Sequence, residues 1–135
     1  MEEQTAREEV LQQLADTIDV GELLLTARRR APAYRLEAFH WVLTEGIEFT
    51  LKQHLGLPES QRRHLSGREI VQGLAQLARE QFGPLAREVW SQWGIRQTRD
   101  WGEVVYALIA VGLLHKSEQD RIEDFDNVFD INQTL

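Results

Sequence analysis

His64 and Ser66 are the residues whose types and spacing come closest to a catalytic pair in this sequence. A serine nucleophile needs an adjacent base, and that base must itself be oriented by a third group. No G-x-S-x-G turn surrounds Ser66, and Ser66-Gly67-Arg68-Glu69 instead matches a capping box at the start of a helix. We therefore assign no catalytic residue. A hydrolase or metal enzyme that uses His64 is retained as an alternative to be tested.

Metal-ligand spacing is also missing. The four histidines lie in different segments and form no H-x-x-x-H pair, which a helical zinc site would need: His40, His54, His64 and His115. Glu37 and His40 have the E-x-x-H spacing of a di-iron bundle, but such a bundle needs a second copy that this chain lacks. The segment that contains Asp124, Asp126 and Asp130 has neither the glycine nor the final glutamate that a calcium-binding loop requires. Neither a Walker loop nor a dinucleotide fingerprint is present, so we predict no metal and no cofactor.

Arginine clusters are the best candidates for binding a ligand. They comprise Arg28, Arg29, Arg30, Arg35, Arg62, Arg63 and Arg68, with His64 beside them. The first three stand where a helix is predicted to end, and cations there interact favourably with the helix dipole. Alternatively, the clusters meet in space and form an anion- or RNA-binding patch. The sequence leaves both interpretations open.

Composition restricts the choice of partners. The 135 residues carry a net charge of −7, which opposes non-specific binding to nucleic acid or anionic lipid. Cysteine is absent, which excludes disulfides, thiolate metal sites and cysteine nucleophiles. The acidic N-terminal sequence has no apolar segment typical of a secretory signal. We expect a cytoplasmic protein that does not enter membranes, with nucleic acid an improbable partner.

The pattern of apolar residues predicts an all-α fold, with about six helices in one domain over residues 1–135. Residues 1–18 are expected to form a loosely attached N-terminal helix. A second helix is predicted to start at the Asp19–Glu22 capping box and to end at Arg30, before Pro32. Further helices are predicted over residues 34–55, 67–82, 84–93 and 101–114. The acidic C-terminal segment, residues 115–135, is predicted to fold back on the core through spaced aromatic residues.

Residues 101–114 are predicted to form the buried central helix, capped by Asp100 and Glu103. The run is apolar on nearly every side but is too short to cross a bilayer. Residues 84–114 also have the layout of a helix-turn-helix unit. A recognition helix must present basic and polar groups to DNA, which this helix does not. We also expect a bulky neighbour, such as a tryptophan, to lie close to Gly73 in the helix predicted over 67–82.

Several phrases in order resemble a small family of uncharacterised bacterial proteins described as restricted to planctomycetes and verrucomicrobia. The phrases are Glu37-Ala38-Phe39, Arg63-His64-Leu65-Ser66-Gly67-Arg68-Glu69, Gln81-Phe82-Gly83-Pro84, Trp93-Gly94-Ile95, Asp100-Trp101-Gly102-Glu103-Val104-Val105 and Gly112-Leu113-Leu114. The resemblance covers about residues 23–130. It implies no activity and no catalytic residues, and it implies that His64–Glu69 belongs to a shared architecture.

These observations favour a non-enzymatic protein-interaction module or homo-oligomer. The reasons are the missing catalytic constellations, the arginine-rich polar faces and the acidic segment with spaced aromatic residues.

Overall fold

The computed structural model describes residues 2–56 and 65–135, and the side chains of these residues except 2–5 and 11–19. The described residues form helices joined by turns and contain no strand, so the all-α prediction is confirmed. The α-helices are α1 (Glu2–Arg30), α2 (Leu36–Trp41), α3 (Ile47–Leu55), α4 (Gly67–Phe82), α5 (Ala86–Gln92), α6 (Thr98–Ala110) and α7 (Ile131–Thr134).

Helix α6 lies at the centre of the core, as predicted. Trp101, Val104 and Leu108 are completely buried, and they belong to a cluster that also draws on α1, α2, α4 and α5. The predicted bounds of 101–114 are wrong, because the helix runs over Thr98–Ala110. It ends before Gly112, whose φ of +85° is incompatible with a right-handed helix.

The start of α6 shows why the predicted cap was misplaced. Asp100 lies inside the first turn rather than before it, and its Oδ2 accepts the backbone N–H groups of Arg96 and Gln97 at 2.9 and 3.1 Å. A carboxylate in the first turn of a helix is stabilised by these donors and by the helix dipole. The aspartate therefore does stabilise this helix start, from a position three residues further along than the sequence suggested.

Helix α1 is continuous, which contradicts the prediction of a new helix at Asp19–Glu22. A capping residue must leave the helical conformation, whereas the backbone stays helical from Glu2 to Arg30. Gly21 is the one weak helix former near that point, and glycine inside a helix costs only about 1 kcal/mol relative to alanine. The sequence signal for a break was therefore too weak to end the helix.

The predicted helix over 34–55 is present from Leu36 but contains a π-helical turn at Val42–Gly46 between α2 and α3. Gly46 faces Leu74 of α4, and Gly73 of α4 faces Thr50 of α3, both so closely that a β-carbon would collide. The neighbour expected at Gly73 is therefore a threonine and not a tryptophan. These two glycines allow α3 and α4 to pack closely.

Helix α4 has the predicted bounds and the predicted start. Ser66 Oγ accepts the N–H of Glu69 at 3.2 Å, and Glu69 Oε1 accepts the N–H of Ser66 at 3.3 Å, which is a complete capping box. Helix α5 follows a single 3₁₀ turn at Gly83–Leu85 instead of starting at Pro84. Gly94, with a φ of +92°, follows α5 and ends that helical region.

The C-terminal segment packs on the core, as predicted. A 3₁₀ turn over Ile122–Phe125 brings Phe125 against α4 and α6, where it is 2% exposed. Just before this turn, the Asp120 carboxylate accepts the Ser117 N–H at 2.8 Å and closes a separate turn.

Candidate functional site

Arg28 and Arg35 are engaged in local structural contacts. Arg28 Nε donates a hydrogen bond to the carbonyl oxygen of Tyr34 at 3.2 Å. Arg35 Nε forms an exposed ion pair with Glu37 at 2.9 Å. Both contacts join residues close in sequence and hold the turn between α1 and α2.

The remaining predicted arginines are not brought into one site by the described structure. Arg29, Arg30 and Arg68 are exposed, and no cavity described below is lined by an arginine of the predicted set. Arg62, Arg63 and His64 lie outside the described residues. Convergence of the clusters, and anion or RNA binding by them, therefore stays a prediction.

Ser66 has a structural role in the capping box, where its hydroxyl accepts from Glu69 and donates to the Glu69 carboxylate at 3.1 Å. The proposed base, His64, lies outside the described residues. No group of three or more potential metal ligands occurs in the part of the chain that the structure describes. None of the described helices is long and apolar enough to cross a membrane.

An open apolar groove between the C-terminal half of α1, α2 and the end of α4 is the largest described concavity, at about 810 Å³. We call it the aromatic groove. Its apolar lining comprises Leu24, Leu25, Leu36, Trp41, Phe82 and Trp93. The rims carry exposed apolar side chains, since Leu25 is 45% and Leu36 is 36% exposed. A solvent-facing groove with this lining is typical of a recognition surface.

Aromatic packing holds the floor of the groove rigid. Trp41 contacts Trp93 and Trp101 with ring centroids 5.4 and 5.5 Å apart, and Phe82 meets Trp93 edge-on at 6.0 Å. Tilted and edge-on arrangements of this kind are favourable. The groove therefore continues directly into the core around α6.

A hydrogen-bonded chain fixes the polar end of the groove. Trp41 Nε1 donates to Gln81 Oε1 at 2.7 Å, and Gln81 Nε2 donates to Glu45 Oε1 at 3.0 Å. The indole N–H, which is the polar group of Trp41, is thereby satisfied. The tryptophan ring is held in place and presents an apolar surface at the floor.

A second concavity of about 280 Å³ lies between α3, α4, α6 and the C-terminal segment. We call it the Tyr106 cavity. Its apolar walls include Ile47, Ile70, Val105, Ile109, Leu114 and Phe125. Exposed basic side chains, those of His115, Lys116 and Arg121, stand at its mouth. The Tyr106 hydroxyl is buried and has no hydrogen-bond partner among the described residues.

Sequence reasoning identified neither concavity. Trp41, Phe82 and Trp93 belong to three separate segments, and each one alone is typical of a core residue. The number of large aromatic side chains gave no usable signal, because Trp41, Trp90 and Trp101 are all buried in the core and only Trp93 is partly exposed. Tyr106 lies within the apolar run of the central helix, where nothing in the local sequence marks it as a cavity residue.

The fold and these two concavities define an all-α chain with an uncovered apolar groove and a separate small cavity. No family model matches the chain, and neither a curated protein nor a solved structure matches it. The resemblance to the planctomycete and verrucomicrobial family therefore stays a prediction.

Proposed function

We propose that this protein is a non-enzymatic interaction module that self-associates, with the aromatic groove and helix α1 of two copies forming the interface. The observation that carries the proposal is the uncovered groove of about 810 Å³, walled by leucine and aromatic side chains. Covering such surface is favourable by about 25 cal/mol per Å² of apolar area removed from water. Aromatic residues are also enriched at the centres of protein interfaces.

The second copy is the proposed occupant because the described side chains toward the N-terminal end of α1 are exposed. The helix has 29 residues, which corresponds to about 43 Å, and among its described side chains Ala27, near the C-terminal end, is the buried one. Residues 6–10 and 20–22 are exposed, with Val10 at 54% and Val20 at 39%. A helix in water is only marginally stable without packing, so a partner surface would stabilise this half.

Charge complementarity favours an antiparallel pairing of the two α1 helices. Glu8 and Glu9 are exposed near the N-terminal end, and Arg28–Arg30 are exposed at the C-terminal end. Antiparallel pairing about a twofold axis would bring the acidic half of each helix to the basic end of the other, twice. Val10 of one copy would then lie near Leu25 and the groove of the other copy. This arrangement gives the exposed arginines of α1 a partner without requiring an anion.

The test is the molar mass in solution, measured by light scattering and sedimentation over a range of protein concentrations. The wild-type chain is expected to be dimeric, and Val10→Glu and Leu25→Glu are expected to be monomeric. Leu85→Glu is the matched control, because Leu85 is 63% exposed and does not line the groove. A wild type that is monomeric at all concentrations would refute self-association. A dimer that persists in Leu25→Glu would show that the aromatic groove is not the interface.

A charge reversal tests the orientation. Arg29→Glu with Arg30→Glu is expected to weaken the dimer, and the addition of Glu8→Arg with Glu9→Arg is expected to restore it. Restoration requires the two charge groups to face each other, as only the antiparallel pairing allows. If the combined variant stays as weak as the first, the antiparallel orientation is wrong.

We further propose that the protein acts in the cytoplasm. The lack of cysteine supports this, because extracellular proteins commonly use disulfides that a reducing compartment does not permit. Fractionation of the source cells followed by immunodetection tests the location, and recovery outside the cytoplasm would contradict it.

A further inference from the structure

We propose that the Tyr106 cavity binds a small amphipathic monocarboxylate, with its apolar chain inside the cavity and its carboxylate between Lys116 and Arg121 at the mouth. The cavity shares no lining residue with the aromatic groove, so the proposal is independent of self-association. It rests on three features of the described residues, namely apolar walls, unpaired cations at the mouth and a buried hydroxyl without a partner.

The interior suits an alkyl chain or small ring. The side chains of Val105 and Phe125 are 3% and 2% exposed and close the inner end, and isoleucine side chains from α3, α4 and α6 form the sides. Transfer of one CH₂ group from water to such surroundings is favourable by about 0.8 kcal/mol, which is close to a fourfold gain in affinity. The volume of about 280 Å³ lies at the low end for ligand pockets, so the ligand must be small.

The mouth supplies the recognition of charge. Lys116 and Arg121 are exposed, and neither forms an ion pair with any residue that the structure describes. The imidazoles of His54 and His115 also line the cavity. Lysine and arginine form strong charge-assisted hydrogen bonds with carboxylates. A ligand carboxylate would pair with Lys116 and Arg121, for which the described residues provide no ion-pair partner.

Nearby acidic side chains are already engaged with the backbone. Asp120 accepts the Ser117 N–H at 2.8 Å, and Asp124 accepts the Arg121 N–H at 3.1 Å. The overall charge of −7 acts over longer distances, where salt screens it beyond about 8 Å at physiological ionic strength. The distant charges of the chain therefore add little at the mouth, where the local field is set by Lys116 and Arg121 together with the carboxylates of Asp120 and Asp124.

Tyr106 adds a neutral donor beside the cavity. Burial, followed by the negative charges of Asp120, Asp124 and Glu123, raises the pKa of Tyr106, so its hydroxyl is protonated at neutral pH. The oxygen is buried without a hydrogen-bond partner in the described structure, which is an unfavourable state for a polar group. Rotation of the side chain toward a bound carboxylate would satisfy it.

The test is a titration of the ¹⁵N-labelled full chain with sodium octanoate, followed by NMR in physiological salt at neutral pH. Shifts are expected at the cavity residues of α3, α4, α6 and 114–125, with octanoate binding more tightly than 1-octanol and far more tightly than octylamine. Lys116→Gln with Arg121→Gln is expected to weaken octanoate binding by about tenfold and to leave octanol binding unchanged. Equal affinity for octanoate in this variant and in the wild type would overturn the carboxylate assignment.

A matched pair on α3 tests the location of the site. Leu51 lines the cavity and is 44% exposed, whereas Leu55, one turn later, is 58% exposed and does not line it. Leu51→Asp is expected to weaken octanoate binding at least tenfold, since it places a negative charge on the wall, and Leu55→Asp is expected to bind as the wild type does. Absence of octanoate-induced shifts at the cavity, or equal losses in both variants, would overturn the proposal.

Discussion

The two terminal segments of this protein are both acidic and both carry spaced apolar residues, yet their described side chains differ in burial. The C-terminal segment forms short helical turns, but its Phe125 and Ile131 are 2% and 3% exposed. Helix α1 is the longest element of the fold, yet its described side chains at residues 6–10 are all exposed. Regular secondary structure and burial are therefore distributed in opposite ways between the two ends.

The difference lies in the surface that receives each segment. A β-carbon at Gly67 or Gly102 would lie only 2.6 or 2.9 Å from Phe125, so the two glycines provide the space that this ring fills. Thr98 Oγ1 donates to the carbonyl oxygen of Phe125 at 2.6 Å and accepts the N–H of Val128 at 3.2 Å. The C-terminal segment is thus held by a complementary surface, whereas the described side chains at residues 6–10 of α1 face solvent.

Among the variants that compare the two terminal segments, Phe125→Ala is expected to have the largest effect on the free energy of unfolding. Removal of a fully buried phenylalanine leaves a cavity and should lower the free energy of unfolding by about 3–5 kcal/mol. Val10→Ala in α1 should change it by less than about 0.5 kcal/mol in dilute, monomeric protein, because Val10 is 54% exposed. Urea denaturation of both variants measures the contrast. Similar losses in the two variants would show that burial of the C-terminal segment does not stabilise the fold.

Two glycines in helices sharpen the comparison further. Gly102→Ala places a β-carbon 2.9–3.1 Å from Phe125, so it should destabilise the fold by about 1–3 kcal/mol despite the better helix propensity of alanine. Gly21→Ala in α1 has no neighbour within 4 Å and should stabilise the monomer by about 1 kcal/mol. Thermal unfolding of the two variants should shift in opposite directions. Shifts of the same sign would contradict the close packing of Phe125 on α6.

Much of the fold could be predicted because its signals are local. The capping box at Ser66 and Glu69 and the apolar stripe that follows gave the bounds of α4 correctly. The apolar run after Asp100 identified the central helix but not its start, because a carboxylate stabilises a helix both as a cap and from within its first turn. Asp19–Glu22 has the same pattern inside α1, where helical hydrogen bonding continues through it.

The candidate sites could not be predicted, because each depends on residues that are distant in sequence. Leu25, Trp41 and Phe82 become neighbours only when α1, α2 and α4 are in place. The exposure of Leu25 depends on where the packed part of α1 ends, and helical periodicity carries no such information. Local sequence identified charged arginines as the candidates, whereas the concavities are formed by apolar residues that resemble a core.

A matched pair of threonines tests how the C-terminal segment is held by hydrogen bonds. Thr98→Val keeps the shape but leaves the Phe125 carbonyl and the Val128 N–H without their partner, and it should cost about 1–3 kcal/mol. Thr26 in α1 donates to the Glu22 carbonyl at 2.9 Å, but Thr26→Val should change stability by less than about 0.5 kcal/mol. Urea denaturation measures both. Equal effects would mean that Thr98 acts through its volume and not through its hydroxyl.

The substitution with the smallest expected loss of stability lies in the turn that joins α1 to the core. The Tyr34 hydroxyl donates to Asp100 Oδ1 at 2.7 Å and so connects the turn after α1 to the start of α6. Tyr34→Phe should cost about 0.5–1.5 kcal/mol at neutral pH. Tyr106→Phe is the matched control and should leave stability unchanged or raise it, because the buried Tyr106 hydroxyl has no partner among the described residues. A loss in Tyr106→Phe as large as in Tyr34→Phe would contradict this assignment.

The pH dependence of unfolding reports on the ionisation of the Tyr34 hydroxyl, which packing of the aromatic ring alone would not produce. Burial, followed by the hydrogen bond to Asp100 and its charge, raises the pKa of Tyr34 above its ordinary value of 10.0. The folded state therefore favours the protonated phenol. The contribution of the protonated Tyr34 phenol to the free energy of unfolding is fully present below about pH 10. It is lost as the pH rises toward the raised pKa, because the phenol of the unfolded chain ionises first. Urea denaturation at increasing alkaline pH should show stability falling less steeply in Tyr34→Phe than in the wild type. Parallel slopes would mean that folding does not raise the pKa of Tyr34.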